Sequence, residues 1–151
     1  MTFDQTLSPL TSTFVPATIT ATFGDIAVLT VPSQPGPYAI LGSSAGVSSV
    51  DVVGYGVGGF LEPKKVPTGF GTRLVATTSV KSAGNQSDQF LKLLADPGGC
   101  FGDSGGPNFI TGTDTVVAIT TSGLKNCNGI SYSERLDTPE ALAFLTPFVN
   151  T

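Results

Sequence analysis

From Val47 onward the sequence breaks into short β-prone runs separated by turn residues: VSSVDVVGYGVGG, GTRLVATTSVKSAG, SDQFLKLLAD, TVVAITTSG and ISYSERL. Strand-length runs at this spacing point to a barrel or a sandwich. Residues 13–31, TFVPATITATFGDIAVLTV, add two strand-like runs around a Phe23-Gly24-Asp25 turn. Between the two regions lies PSQPGPYAILGSSAG, whose Pro, Gly and Ser content reads as a linker across the surface. The 19 Gly and 11 Pro residues, set among many Thr, Val and Ser, favour short strands joined by tight turns. The expected class is all-β. SDQFLKLLAD has leucines that also fit a short helix, and the turn signals on both sides assign it to a strand. One helix is expected, in DTPEALAFLTPFV at the C-terminus. There Thr138 can cap the first turn, Pro139 suits the first helical position, and Glu140 complements the positive end of the helix dipole. Leu142, Leu145 and Val149 are expected on its buried face.

A chain of 151 residues can bury one core, or one small domain plus part of another. Only 12% of residues are charged, the net charge is −4, and no Lys or Arg precedes Lys64. Binding to nucleic acid needs a clustered basic face, which this sequence lacks, so no nucleic-acid partner is expected. The longest apolar candidate for a membrane span, ITATFGDIAVLTV, is interrupted by Asp25, so no membrane partner is expected either. The opening MTFDQTLSP lacks the basic and apolar regions of a secretory signal. Cys100 and Cys127 fit either two buried thiols or one bridge, and the bridge would favour an oxidising compartment. Two cysteines and no histidine offer no structural zinc site, and no metal or cofactor is expected.

Chemistry concentrates in GGCFGDSGGP, Gly98 to Pro107. Glycines around Ser104 let the backbone adopt unusual φ values and approach a ligand closely. Such a turn can aim two N–H groups at one point and form an anion or oxyanion site. A plain glycine-rich hairpin is the competing reading, although the full hexapeptide GDSGGP is far more specific than a serine flanked by glycines.

GDSGGP, with a cysteine two residues before its first glycine, resembles the nucleophile loop of the chymotrypsin-like (trypsin superfamily) serine endopeptidases. Other segments are similar in the right order. GDIAVL resembles the strand start that carries the triad aspartate, VVGYG the opening of the second barrel, and VVAITTSG the strand lining the specificity pocket. YSERLDTPEALAFL resembles the closing strand and terminal helix of bacterial secreted members. The likeness runs from about Phe14 onward. It implies a double β-barrel with the first barrel incomplete, the second complete, and a short C-terminal helix. The corresponding regions are a partial first barrel at 1–34, an inter-barrel linker at 35–46, and a second barrel with its helix at 47–151.

By the same resemblance Ser104 is the nucleophile, and the N–H groups of Gly102 and Ser104 form the oxyanion hole. Asp25 orients the base. Cys100 and Cys127 form the bridge between the nucleophile loop and the pocket wall. Asp103 matches an aspartate that usually receives a buried cation. The pocket would be built from Gly98, Thr121, Ser122, Gly123 and Ile130. Gly98 stands where an acidic residue would select Lys or Arg, so the expected side chain is uncharged and apolar. A polypeptide substrate or a protein inhibitor is the implied partner, and secretion the implied location, with the exporting segment outside this sequence.

The sequence departs from the family in one respect. The triad histidine should precede Asp25, and MTFDQTLSPLTSTFVPATITATFG contains none. Lys81 and Lys125 are the residues that could make a Ser–Lys arrangement, and their spacing does not recommend them. One expectation is a serine endopeptidase whose sequence here lacks its N-terminal part, which an Ala-His-Cys-like segment in the upstream reading frame would support. The alternative is a non-catalytic pseudoprotease that binds peptide or protein, and a third reading is an unrelated β-rich structural protein with a chance loop.

Overall fold

The computed structural model describes residues 2–3, 17–33, 36–81, 89–94, 98–123 and 127–149. Its strands are β1 (Thr2–Phe3), β2 (Thr18–Phe23), β3 (Ile26–Thr30), β4 (Ile40–Leu41), β5 (Ser49–Gly54), β6 (Gly59–Leu61), β7 (Val66–Thr68), β8 (Leu74–Ser79), β9 (Phe90–Leu94), β10 (Pro107–Ile110), β11 (Thr115–Gly123) and β12 (Ile130–Arg135). One helix among the described residues, α1 (Pro139–Leu145), follows them. The protein is mostly β with a short C-terminal helix, as the sequence predicts.

The main sheet runs β1-β8-β5-β10-β11-β12-β9 and curls on itself. Beyond β8, Val80 bridges to Leu93 of β9, and the Lys81 N–H donates to the Lys92 carbonyl at 2.8 Å, so the two ends of the six-strand path β8 to β9 meet. Period-two alternation fills the interior. Val50 and Val52 of β5 point inward with Leu91 and Leu93 of β9, and Val117 and Ala118 of β11 complete this core. Within SDQFLKLLAD, Phe90–Leu94 resolves as a strand, and its leucines at 91 and 93 share one face of the sheet.

A second core forms where the hairpin β2–β3 meets the helix. Ile26 packs with Leu136, Ala141 and Leu145, and Phe23 stacks on Phe144 with ring centroids 5.6 Å apart. Thr138 caps the helix as expected, its Oγ1 accepting from the Ala141 N–H at 3.1 Å. The buried face matches the expected one at Leu145 only. Ala141 and Leu145 are buried, whereas Leu142 is 40% exposed and Val149, beyond the end of the helix, is 38% exposed. Ala141 and Leu145 are an i, i+4 pair and so lie on one face of the helix.

Two features were not legible beforehand. Inside the stretch read as a linker, β4 pairs in parallel with Thr115 and Val116 of β11, and Leu41 packs against the second core. Residues 59–68 fold into the hairpin β6–β7, whose Leu61 and Val66 are exposed.

Asp137 fastens the segment before β5 to the start of the helix. Its carboxylate accepts from the Ser43 and Ser44 hydroxyls, from the Ser44 N–H at 2.7 Å, and from the Arg135 guanidinium at 2.9 Å. Burial alone would raise its pKa, but the Arg135 and Ser44 hydrogen bonds outweigh burial and hold the carboxyl below the usual aspartate range. A folded-state pKa below the unfolded one stabilises the fold above the unfolded value and ceases to do so as pH falls through the folded value. Asp137→Asn should therefore lower unfolding free energy by about 1–3 kcal/mol at pH 7. That difference should shrink as pH drops below about 4, and urea titrations of both proteins at pH 7, 4 and 3 check it.

Candidate active site

The loop between β9 and β10 is built from backbone constraints. Gly102 and Gly105 have φ values of +91° and +81°, a region that residues with a Cβ rarely enter. Within the loop, the Asp103 N–H donates to the Cys100 carbonyl at 3.1 Å and the Gly106 N–H to the Asp103 carbonyl at 2.9 Å. The loop is also tied to β11. Gly105 donates to the Thr120 carbonyl at 2.7 Å, and Thr120 donates back to the Gly106 carbonyl at 2.9 Å.

Asp103 is the buried anchor of this turn. Its Oδ1 accepts from the Gly56 N–H at 2.8 Å and its Oδ2 from the Cys100 N–H at 2.7 Å. The carboxylate fits only because Gly54 and Gly56 lack side chains, since a Cβ on either would collide with it. Val57 donates to the Phe101 carbonyl at 2.8 Å and closes the same contact from the other side. With Asp103 fixed inward, the next residue, Ser104, faces out and is exposed. Among the described residues, no hydrogen bond engages the Gly102 or Ser104 N–H, whereas the three neighbouring amides of Asp103, Gly105 and Gly106 are all used.

Two cavities meet at Gly102 and Ser104. The first, about 260 Å³, lies between the loop and β11, with Thr121, Ser122, Gly123, Ser131 and the Cys100–Cys127 pair in its wall. The two cysteines are bonded, with Cα atoms 5.2 Å apart. The second cavity, about 430 Å³, opens on the other side of the loop toward Tyr55, Arg73 and Phe109. An exposed serine is thus held between two hollows, next to a turn with free amides.

The sequence matches the Trypsin family over residues 10–139. This chain belongs to the Trypsin family. The family is one of serine-type peptidases, hydrolases that in general act on peptide and protein substrates and are met by protein inhibitors. A search of curated proteins found no match. No helix among the described residues is long and apolar enough to cross a membrane.

Within this Trypsin-family fold, the residues singled out in the sequence fall in different places. Gly102, Asp103, Ser104, Thr121, Ser122, Gly123 and the cysteine pair gather around the serine. Asp25 stands exposed in the turn between β2 and β3 and lines neither cavity that Ser104 borders. Gly98 is buried and does not line the smaller cavity. Ile130 also stays out of the lining, and Ser131, opposite Gly123, takes that place. The cause is a register shift in the β11–β12 pairing between Thr120 and Ser122, which no sequence pattern announces. Lys81 borders a separate hollow with Ser44 and Leu91, and Lys125 lies outside the described residues. Instead of a side-chain cation, Asp103 receives two backbone N–H groups. Sequence reasoning missed Gly99, Phe101 and Thr120 in the smaller cavity and Tyr55 and Arg73 in the larger one.

Proposed function

We propose that this chain carries the nucleophile side of a secreted serine endopeptidase, with Ser104 forming the acyl-enzyme. The observation that carries this reading is the Asp103 anchor, which leaves Ser104 exposed beside the unengaged Gly102 and Ser104 amides. Ser104 Oγ attacks the scissile carbonyl carbon and gives its proton to a base. The carbonyl oxygen becomes an oxyanion held by the Gly102 and Ser104 N–H groups, which act most strongly on the tetrahedral state. The leaving amine takes a proton, the acyl group stays on Ser104, and water then hydrolyses the ester. Asp25 is assigned to orient the base. The cavity beside Thr121 and Gly123 receives the acyl-side residue, and its glycine, serine and threonine wall suits an uncharged side chain. In this reading residues 1–34 belong to a first barrel, apart from Thr2–Phe3, which pairs with β8 of the main sheet; 35–46 link the barrels, and 47–151 form the second.

The sequence contains no histidine, and loss of that base lowers turnover by roughly 10⁶ in serine peptidases with a Ser–His–Asp triad. Binding and the oxyanion hole alone leave roughly 10³ to 10⁴ over uncatalysed reaction in this family. The 151 residues by themselves are therefore a slow esterase at best. The same absence of histidine favours a second reading, a pseudoprotease that offers the loop and cavity to a polypeptide without cutting it. Acyl transfer from the p-nitrophenyl ester of N-acetylphenylalanine separates the two. A release of p-nitrophenol that Ser104→Ala removes supports the peptidase site. Equal rates from both proteins, with product peptides still bound, would favour the pseudoprotease.

A further inference from the structure

The larger of the two cavities at Ser104 contains a feature that peptide-bond hydrolysis does not require. Arg73, the residue before β8, borders it together with Tyr55, Gly102 and Ser104. Its Nε is buried and, among the described residues, has no hydrogen-bond partner. A buried guanidinium N–H without an acceptor forfeits the hydrogen bond it made to water, and a carboxylate restores it with a charge-assisted one. No carboxylate among the described residues accepts from this Nε–H. Asp103 borders the same cavity, but its two carboxylate oxygens accept from Gly56 and Cys100. The other arginine, Arg135, is paired with Asp137. Arg73 is also held in place, because the Gly71 N–H donates to the Tyr55 carbonyl at 2.8 Å and the Thr72 N–H to the Gly69 carbonyl at 3.1 Å.

We propose that Arg73 forms an anionic subsite that selects an acidic residue on the leaving-group side of the polypeptide bound at Ser104. This rests on the peptidase reading of Ser104. If the acyl-side residue fills the hollow by Thr121 and Gly123, the chain beyond the scissile bond crosses Gly102 and Ser104 into the cavity that holds Arg73. The exposed Phe70 ring lies beside Gly102 and the exposed Phe101 borders the smaller cavity, so both supply apolar contact for the peptide. Arg73 is a specificity residue here and takes no part in bond breaking.

The test uses binding, so that slow chemistry does not obscure it. Capped hexapeptides with phenylalanine at the acyl position and Glu or Gln at the first, second or third leaving-group position are titrated into the Ser104→Ala protein by calorimetry. At one position the Glu peptide should bind about 10- to 100-fold more tightly than its Gln twin. The preference should fall in 0.5 M salt, vanish in Arg73→Gln and survive in part in Arg73→Lys. In the parent protein, which needs no substitution at Arg73, the Arg73 Nε–H resonance should shift with the Glu peptide and stay put with the Gln one. Equal binding of the twins at all three positions, or a Glu preference that persists in Arg73→Gln, would overturn the subsite. Failure of every peptide to bind while a fluorophosphonate still labels Ser104 in the parent protein would overturn the subsite alone. Loss of that labelling would instead overturn the peptidase reading beneath it.

Discussion

Asp103→Ala should lower the unfolding free energy by about 3–5 kcal/mol and remove any preferential reactivity of Ser104. Each of the two N–H groups that Asp103 accepts from, buried on Gly56 and part-buried on Cys100, would be left without this partner. A buried donor stranded in this way costs about 1–3 kcal/mol. The loss is local as well as global, because the same carboxylate sets the turn in which Gly102 and Ser104 sit. Asp103→Asn is the informative companion. It preserves shape but sets an NH₂ group against one of the two donors, so it should fall between the parent and the alanine variant. Chemical denaturation measures the stability, and the labelling rate at Ser104 measures the site. Gly56→Ala should have a similar effect from the opposite side, since the added methyl would collide with the Asp103 carboxylate and the Phe101 carbonyl.

Reduction of the Cys100–Cys127 bond, or its removal in the Cys100→Ser/Cys127→Ser protein, should cost about 3 kcal/mol. The bridge closes a loop of 27 residues, and the cost is the entropy that an unbridged unfolded chain regains. The bond has a second effect in the folded state. Cys127 has a φ of +56°, a backbone conformation that a residue with a side chain occupies reluctantly, and the bond helps hold it there. Both cysteines border the smaller cavity, so the reduced protein should also bind acyl-side peptides more weakly. Thermal unfolding with and without reductant gives the first quantity and peptide titration the second. For a protein of this size a loss of that magnitude is a large part of its net stability.

Much of this was legible in the sequence, and the legible parts share a cause. Alternating apolar residues in SVDVVG, LVATTS and FLKLL encode which side of each strand is buried, so the strands of the main sheet follow from local pattern. The loop was readable because its function depends on particular residue types. Glycines at 54, 56 and 102 are required by close approach or positive φ, and Asp103 by the amides it must satisfy. What stayed hidden depends on partners distant in sequence. Ile40 and Leu41 become a strand only because β11 offers them an edge. Ser131 replaces Ile130 at the cavity because of a register shift in the β11–β12 pairing. Arg73 sits in an ordinary-looking strand start, and its significance comes from a buried Nε near a carboxylate that is already engaged. On the helix Leu145 was read correctly, and the burial of Ala141 in place of Leu142 follows from its packing with Ile26 of the β2–β3 hairpin.

The most direct measurement concerns Ser104 itself. The protein is treated with a fluorophosphonate at pH 9, where hydroxide can serve as base, both folded and unfolded in urea, and the modified serine is identified by peptide mass mapping. Folded protein should react at Ser104 roughly 10³-fold faster than the unfolded chain, because only the folded loop presents the Gly102 and Ser104 amides to the developing charge. Equal rates at Ser104 in the folded and unfolded protein would contradict the assignment of this loop as a nucleophile site.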